Sequence, residues 1–282
     1  MAQFIKVVQV QPLTVLTIAG SDSGGGAGIQ ADLRTFCAFE LHGTTALTAV
    51  TAQNTIGVES VLNIEPDMVA AQVLSVVDDF DVRAVKTGML AQPATVERVA
   101  QLASDGLLPH LVVDPVLVSS TGHPLLDVGG VEAYRATLLA RAQIVTPNLR
   151  EAAMLCDLDV HDVKDHDDMV ALARQILTFG PTWVLVKGGH FAAGSLTERH
   201  APDVLVSSDE VFVFDAPRVT TTNDHGTGCS LSAAICAGLA LGRDLPDAVR
   251  DAKSFVLAAL TSAADWKLGR GRGPIDHLGW DE

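Results

Sequence analysis

Asn223-Asp224-His225-Gly226-Thr227-Gly228-Cys229 runs straight into Ser230–Leu241, an apolar stretch rich in small residues. Read locally, this is a glycine-rich turn that opens a helix. The first turn of a helix leaves backbone N–H groups without partners, and the helix dipole places positive potential there. Gly226 and Gly228 carry no Cβ, so an anion could come close to those donors. The Cys229 thiol sits on the same first turn, where the helix N-terminus is expected to lower its pKa below the free value of about 8.5. Amide donors and a polarised thiol in one place point to transfer of an anionic group, phosphoryl before any other. The alternative at this stage is a small residue that merely fits the turn.

Working outward, the chain alternates short apolar strands with amphipathic helices. Thr14–Ala19 reads as a buried strand, followed by the loop Gly20–Gly28 and a helix whose face carries Ile29, Leu33, Phe36 and Cys37. Further strands are expected at 44–51, 56–64, 82–86, 111–114, 143–146 and 183–187, with a hairpin at 204–207 and 211–214. Helices are expected near 66–76, 92–104, 128–140, 149–156, 167–179, 227–241 and 245–265. This alternation predicts an α/β fold, a mostly parallel central sheet with helices on both faces. Sites in such sheets form at the carboxyl ends of strands. The polar and glycine clusters fall there: Gly20 onward, Gln53-Asn54, Lys86-Thr87-Gly88, Asp114, Asn148, Lys187-Gly188-Gly189 and Thr220 to Cys229.

Composition bounds the answer. The chain has 282 residues, 48% hydrophobic, enough apolar mass for one large domain. A net charge of −15 excludes a nucleic-acid binder, which needs a basic face. No apolar run reaches the length of a membrane span, and the N-terminus lacks a signal-peptide pattern. Cys37, Cys156, Cys229 and Cys236 form no C-x-x-C pair and no zinc template. Cys37 and Cys236 fall on apolar helix faces and are expected to be buried free thiols, which fits a cytoplasmic protein.

Several residues carry candidate chemistry. Gly26-x-Gly28-x-x-Ala31 matches a dinucleotide fingerprint, but the next strand ends Thr51-Ala52-Gln53-Asn54 with no acid to hold a ribose, so a backbone-lined pocket wall is the better reading. Gln53 presents a donor and an acceptor side by side, a match for an aminopyrimidine edge; a solvated loop residue is the alternative. Asp32 could accept from a substrate hydroxyl or simply favour the helix dipole. Asn148 and Glu151, one turn apart at a helix start, suit Mg²⁺ held through water, with Asp114 sharing the ion; a helix cap is the alternative. Lys187, followed by two glycines, could neutralise charge on a transferring phosphate. No Walker-type stretch occurs.

These pieces, in this order, resemble the ribokinase-like superfamily and, within it, the hydroxymethylpyrimidine/phosphomethylpyrimidine kinases of thiamine biosynthesis. The motifs are Ala19–Asp32, Thr51-Ala52-Gln53-Asn54-Thr55, Lys86-Thr87-Gly88-Met89-Leu90, Val113-Asp114-Pro115-Val116, Thr146-Pro147-Asn148-Leu149-Arg150-Glu151-Ala152, Lys187-Gly188-Gly189-His190 and His225–Cys229. The resemblance implies ATP- and Mg²⁺-dependent phosphorylation of 4-amino-5-hydroxymethyl-2-methylpyrimidine and then of its monophosphate, both at one site. By the same resemblance Gly20, Asp32, Gln53 and Met89 hold the pyrimidine, and Lys187 contacts the phosphates. Asn148 and Glu151 serve the metal, while the amides of Gly226, Thr227, Gly228 and Cys229 form the anion hole. Adenine contacts are expected near Thr220 and the last helices. Most ribokinase relatives carry Asp where this chain has Cys229. One kinase domain is expected over 14–282 after an extension at 1–13, with no fused second domain, acting as a homodimer. A pyridoxal kinase on the same scaffold and a non-catalytic nucleotide-binding protein are the competing readings.

Overall fold

The computed structural model describes residues 11–118, 125–189 and 199–280. Most of the extension expected at 1–13, and His190, lie outside the described residues. Nine strands among the described residues form one sheet in the order β3-β2-β1-β4-β5-β6-β7-β8-β9. β1 (Thr14–Ser21), β2 (His42–Gln53), β4 (Val82–Thr87), β5 (Val112–Val113), β6 (Ile144–Val145) and β7 (Trp183–Lys187) run parallel. β3 (Val58–Asn63), β8 (Asp203–Val206) and β9 (Val211–Phe214) pair antiparallel at the two edges.

The pleat decides which helices cover which side chains. Leu16, Ile18, Val85, Val113, Val145 and Val186 face one way, under α2 (Pro66–Val77), α3 (Pro93–Ser104), α5 (Leu149–Leu155) and α6 (His166–Leu177). Val15, Ala84, Val112, Ile144 and Leu185 face the other, under α1 (Gly28–Ala38), α7 (Thr227–Ala240) and α8 (Leu245–Ser262). α7 is buried along most of its length, which is why its sequence is apolar all round instead of amphipathic. α4 (Gly130–Ala133) passes into a π-helical turn at Tyr134–Leu138 and a 3-10 turn at Leu139–Arg141 where one regular helix was expected.

One burial expectation fails. Cys236 is buried, but Cys37 is exposed, because α1 turns Ala31, Asp32, Thr35 and Phe36 inward instead of the face carrying Cys37. The inward face of α1 therefore holds a carboxylate, and the reason lies in the sheet beneath it. β1 sits at the point where chain order runs outward in both directions, toward β2 and toward β4. Such a switch point opens a cleft at the carboxyl ends of its strands.

Candidate functional site

Turns after β1, β4 and β7 and the turn that opens α7 enclose a cavity of about 460 Å³ at the carboxyl ends of the sheet. Gly20, Gln53, Met89, Asp114, Asn148, Glu151, Lys187, Gly226, Thr227, Gly228 and Cys229 all line it. A wider, more open hollow of about 950 Å³ lies at the amino ends of the strands, away from these turns.

The cavity floor is ionic. Ala84 and Lys86 alternate onto the α1/α7 face of β4, so Lys86 enters the core beside Asp32 of α1. Lys86 Nζ lies 2.8 and 2.9 Å from the two Asp32 oxygens, and both side chains have 0% exposure. The Thr17 hydroxyl donates to the same carboxylate at 2.6 Å. Burial works against the Lys86 charge, but Asp32, Cys229 and Asp114 hold its pKa above the ordinary value. Asp32 is thus behind the cavity wall with its carboxylate taken up by Lys86. The substrate contact expected of it is not where the structure places it, and Lys86 reaches the cavity instead.

A second buried pair stands beside the first. Lys187 Nζ lies 2.9 Å from Asp114 Oδ1, while Ser232 of α7 donates to Asp114 Oδ2 at 3.1 Å. Burial alone would favour neutral lysine; Asp114 and Glu151 raise its pKa instead. Burial pushes the Glu151 carboxyl up to about 7, with Lys187 opposing. Asn148 and Glu151 form a reciprocal capping box on α5. The Asn148 side-chain oxygen accepts from Arg150 N at 2.9 Å and from Glu151 N at 3.0 Å. That oxygen serves the cap, and so does Glu151 Oε2, which accepts from Asn148 N at 2.9 Å. Asn148, Glu151 and Asp114 all line the cavity with hard oxygen donors, a set that suits Mg²⁺ held through water.

The α7 turn has no side-chain cap. Its N-cap is Gly226 at φ 87°, so the first-turn amides are not taken up by a capping side chain. The glycine requirement at 226 differs from the one read in the sequence. A Cβ there would lie 1.8 Å from the Gly26 carbonyl oxygen, so the two glycine turns pack backbone on backbone. Gly228 does face the cavity, where a Cβ would stand 3.2 Å from Lys187 Nζ. Burial pushes the Cys229 thiol up to about 11; Lys86 opposes this, and Asp114 and Asp32 add to it. Desolvation and the two carboxylates thus work against the lowering expected of the helix N-terminus, at a thiol that is half-buried and lines the cavity.

The two turns are pinned by residues to which sequence reasoning gave no role. Asp22, 2% exposed, accepts from the amides of Gly24, Gly26 and Ala27 at 2.8, 3.0 and 2.8 Å. His225 Nε2 lies 3.0 Å from its Oδ2. Burial raises the Asp22 pKa, but His225 and the amides outweigh it, and the carboxyl ends below its ordinary value. Asn223 anchors the same turn to the end of α8 through Ala263 O and Trp266 O, both at 2.8 Å. Thr220 does not line the cavity; its neighbour Thr221 does, along with Lys253 of α8. Lys253 Nζ pairs with Asp203 Oδ2 at 2.6 Å, and Asp203 Oδ1 accepts from Gly188 N at 3.0 Å, which fixes the turn after Lys187. Lys86 shares a face of the strand with Ala84, on the buried side, and that placement of a lysine was the signal that could have exposed it.

Residues 22–276 match the family described as phosphomethylpyrimidine kinase. The chain is 48% identical to the hydroxymethylpyrimidine/phosphomethylpyrimidine kinase of Streptomyces coelicolor over 271 residues, 96% of each chain. The structure is similar to that of Bacillus subtilis pyridoxal kinase in its ADP complex, with TM-score 0.83, 36% identity, and 95% of this chain and 98% of that one covered. It is also similar to the phosphomethylpyrimidine kinase of Clostridium difficile, with TM-score 0.76 and 37% identity over 88% of this chain and 99% of that one.

Proposed function

Because this chain belongs to the phosphomethylpyrimidine kinase family, we propose that the cavity at the carboxyl ends of the strands phosphorylates the hydroxymethyl pyrimidine of thiamine biosynthesis and then the resulting monophosphate, with ATP as donor. One observation carries this reading: Gln53 and the uncapped turn of α7 line the same cavity, so a ring-reading amide and a phosphate cradle stand in one space.

Gly20, Met89 and the Gln53 amide would hold the ring, with Gln53 facing its aminopyrimidine edge. The amides of Gly226, Thr227, Gly228 and Cys229 would hold the transferring phosphate, and Lys187 would neutralise its charge. Phosphoryl transfer leaves little covalent work to the protein, so positioning and electrostatics carry most of the effect. Cys229 is our proposed acceptor for the proton of the alcohol; the second step attacks with a phosphate oxygen and needs little help from a base. Mg²⁺, when bound, supplies further neutralisation of the nucleotide phosphates, and Asp114, Asn148 and Glu151 would hold it. The ADP-bound neighbour supports a nucleotide in this cavity, and Thr221 and Lys253 would lie on its nucleotide side.

Residues 14–282 would act as one kinase domain, since α7 and α8 pack on the sheet that begins at Thr14. We further place the protein in the cytoplasm and expect a homodimer, motivated by the edge strand β3 with Leu62 67% exposed; sedimentation velocity giving a monomer at micromolar concentration would reject the latter. Among the described residues no helix is long and apolar enough to cross a membrane.

The deciding experiment incubates the protein with ATP, Mg²⁺ and the pyrimidine alcohol and reads products by mass spectrometry. Monophosphate followed by diphosphate is expected. The fold shared with a pyridoxal kinase favours pyridoxal as the second reading. Pyridoxal turnover far above that of the pyrimidine would install it.

A further inference from the structure

His225 is seated where three separate stretches of chain meet. Its Nε2–H donates to Asp22 Oδ2 at 3.0 Å, and the Gln53 amide nitrogen packs against the same ring nitrogen at 3.2 Å, although the two residues lie 203 and 172 positions away in sequence. Gly26 runs so close that a Cβ on it would fall 2.4 Å from the imidazole Cδ2. The next residue, Gly226, packs on the Gly26 carbonyl and starts α7. Ser23 of the glycine turn holds the Gln53 backbone as well, donating to its carbonyl and accepting from its amide, each at 2.7 Å. The imidazole therefore bears at once on the wall that faces the ring and on the residue that begins the phosphate cradle.

We propose that His225 is a positioning residue, coupling Gln53 to the Gly226 turn so that ring and phosphate are held at one fixed separation. This rests on the kinase reading above. The imidazole itself lines the cavity, and it acts through Gln53 and through the Asp22-ordered turn. A misplacement of about 1 Å between reacting groups costs on the order of 10²-fold in rate. ADP binds without the ring and keeps Lys187, so a change in the separation of ring and phosphate falls on the alcohol substrate.

The test is a double-variant cycle of His225→Ala and Gln53→Ala, with kcat/KM for the pyrimidine alcohol, affinity for ADP and thermal midpoint measured on each protein. His225→Ala should lower kcat/KM about 10²-fold while ADP affinity stays within about threefold. The two losses should not multiply: the double variant should match the weaker single one. His225→Asn, which restores a short polar group, should recover part of the loss, and it carries the same cycle should His225→Ala fail to fold. Losses that multiply, or a His225→Ala loss under about threefold, would overturn the coupling. Wild-type protein that leaves the pyrimidine alcohol untouched would instead remove the kinase reading, and this proposal with it.

Discussion

Replacing Lys86 by methionine isolates the electrostatics of the cavity floor. The ammonium is 2.8 Å from Asp32, both groups are at 0% exposure, and the attraction at an effective dielectric of 20 is about 6 kcal/mol. Withdrawing two ions from water costs several kcal/mol each, so the intact pair contributes little net stability. Lys86→Met leaves the carboxylate in place without its cation, a change that costs about 3–5 kcal/mol for buried pairs. With an m-value of about 3 kcal/mol per M, the urea midpoint should fall by roughly 1–2 M at neutral pH. The deficit should shrink as pH is lowered. Burial already raises the Asp32 pKa and Lys86 is the chief group opposing it, so without Lys86 the folded value climbs further. Stability lost through a raised carboxyl pKa returns as pH falls through that value. Lys86→Met with Asp32→Leu removes both charges and should recover to within about 1 kcal/mol of wild type or exceed it. A single-variant loss below about 1 kcal/mol, or a double variant as weak as the single, would refute the account.

Other outcomes can be read from the same site. Glu151, raised from 4.5 to about 7, binds a proton more tightly folded than unfolded, so between those values wild-type stability should decline with rising pH relative to Glu151→Gln; urea midpoints across pH 4–8 check this, and a flat difference rejects it. With burial pushing its thiol up, Cys229 is mostly protonated at pH 7, so phosphorylation of the alcohol should climb with pH above 7 if the thiol is the base. Cys229→Ala should flatten that profile and slow the step by roughly 10²–10⁴; a loss under about threefold returns Cys229 to a packing role. Gly226→Ala must move the Gly26 carbonyl and should unfold at a midpoint lower by several °C, whereas Gly228→Ala presses only on Lys187 and should raise KM for ATP with little change in melting; equal melting losses would show that the two glycines do the same job.

The order of strands and helices was legible because periodicity is local: β1 and β7 are short runs dominated by apolar residues, and α6 and α8 carry capped amphipathic patterns. The turns that line the cavity were legible too, since glycine and polar clusters stood at every strand end. The reasons behind individual residues were not. Asp32 looked like a substrate contact because nothing near it in sequence reveals Lys86, 54 residues on. Gly226 looked like a seat for an anion, yet the close neighbour that forbids its Cβ is the Gly26 carbonyl. Cys37 looked buried from its helix face, but α1 turns its carboxylate inward to meet the lysine below.

The sequence by itself determined the layered α/β architecture and the end of the sheet at which the cavity opens, because strand and helix periodicities and glycine turns are properties of neighbouring residues. Only the tertiary structure decided which charges pair, which way the Cys229 thiol shifts and which loops clasp. Those depend on desolvation and on contacts between groups as much as 203 residues apart, and burial changes the energy of an ionisable group by more than anything its sequence neighbours can supply.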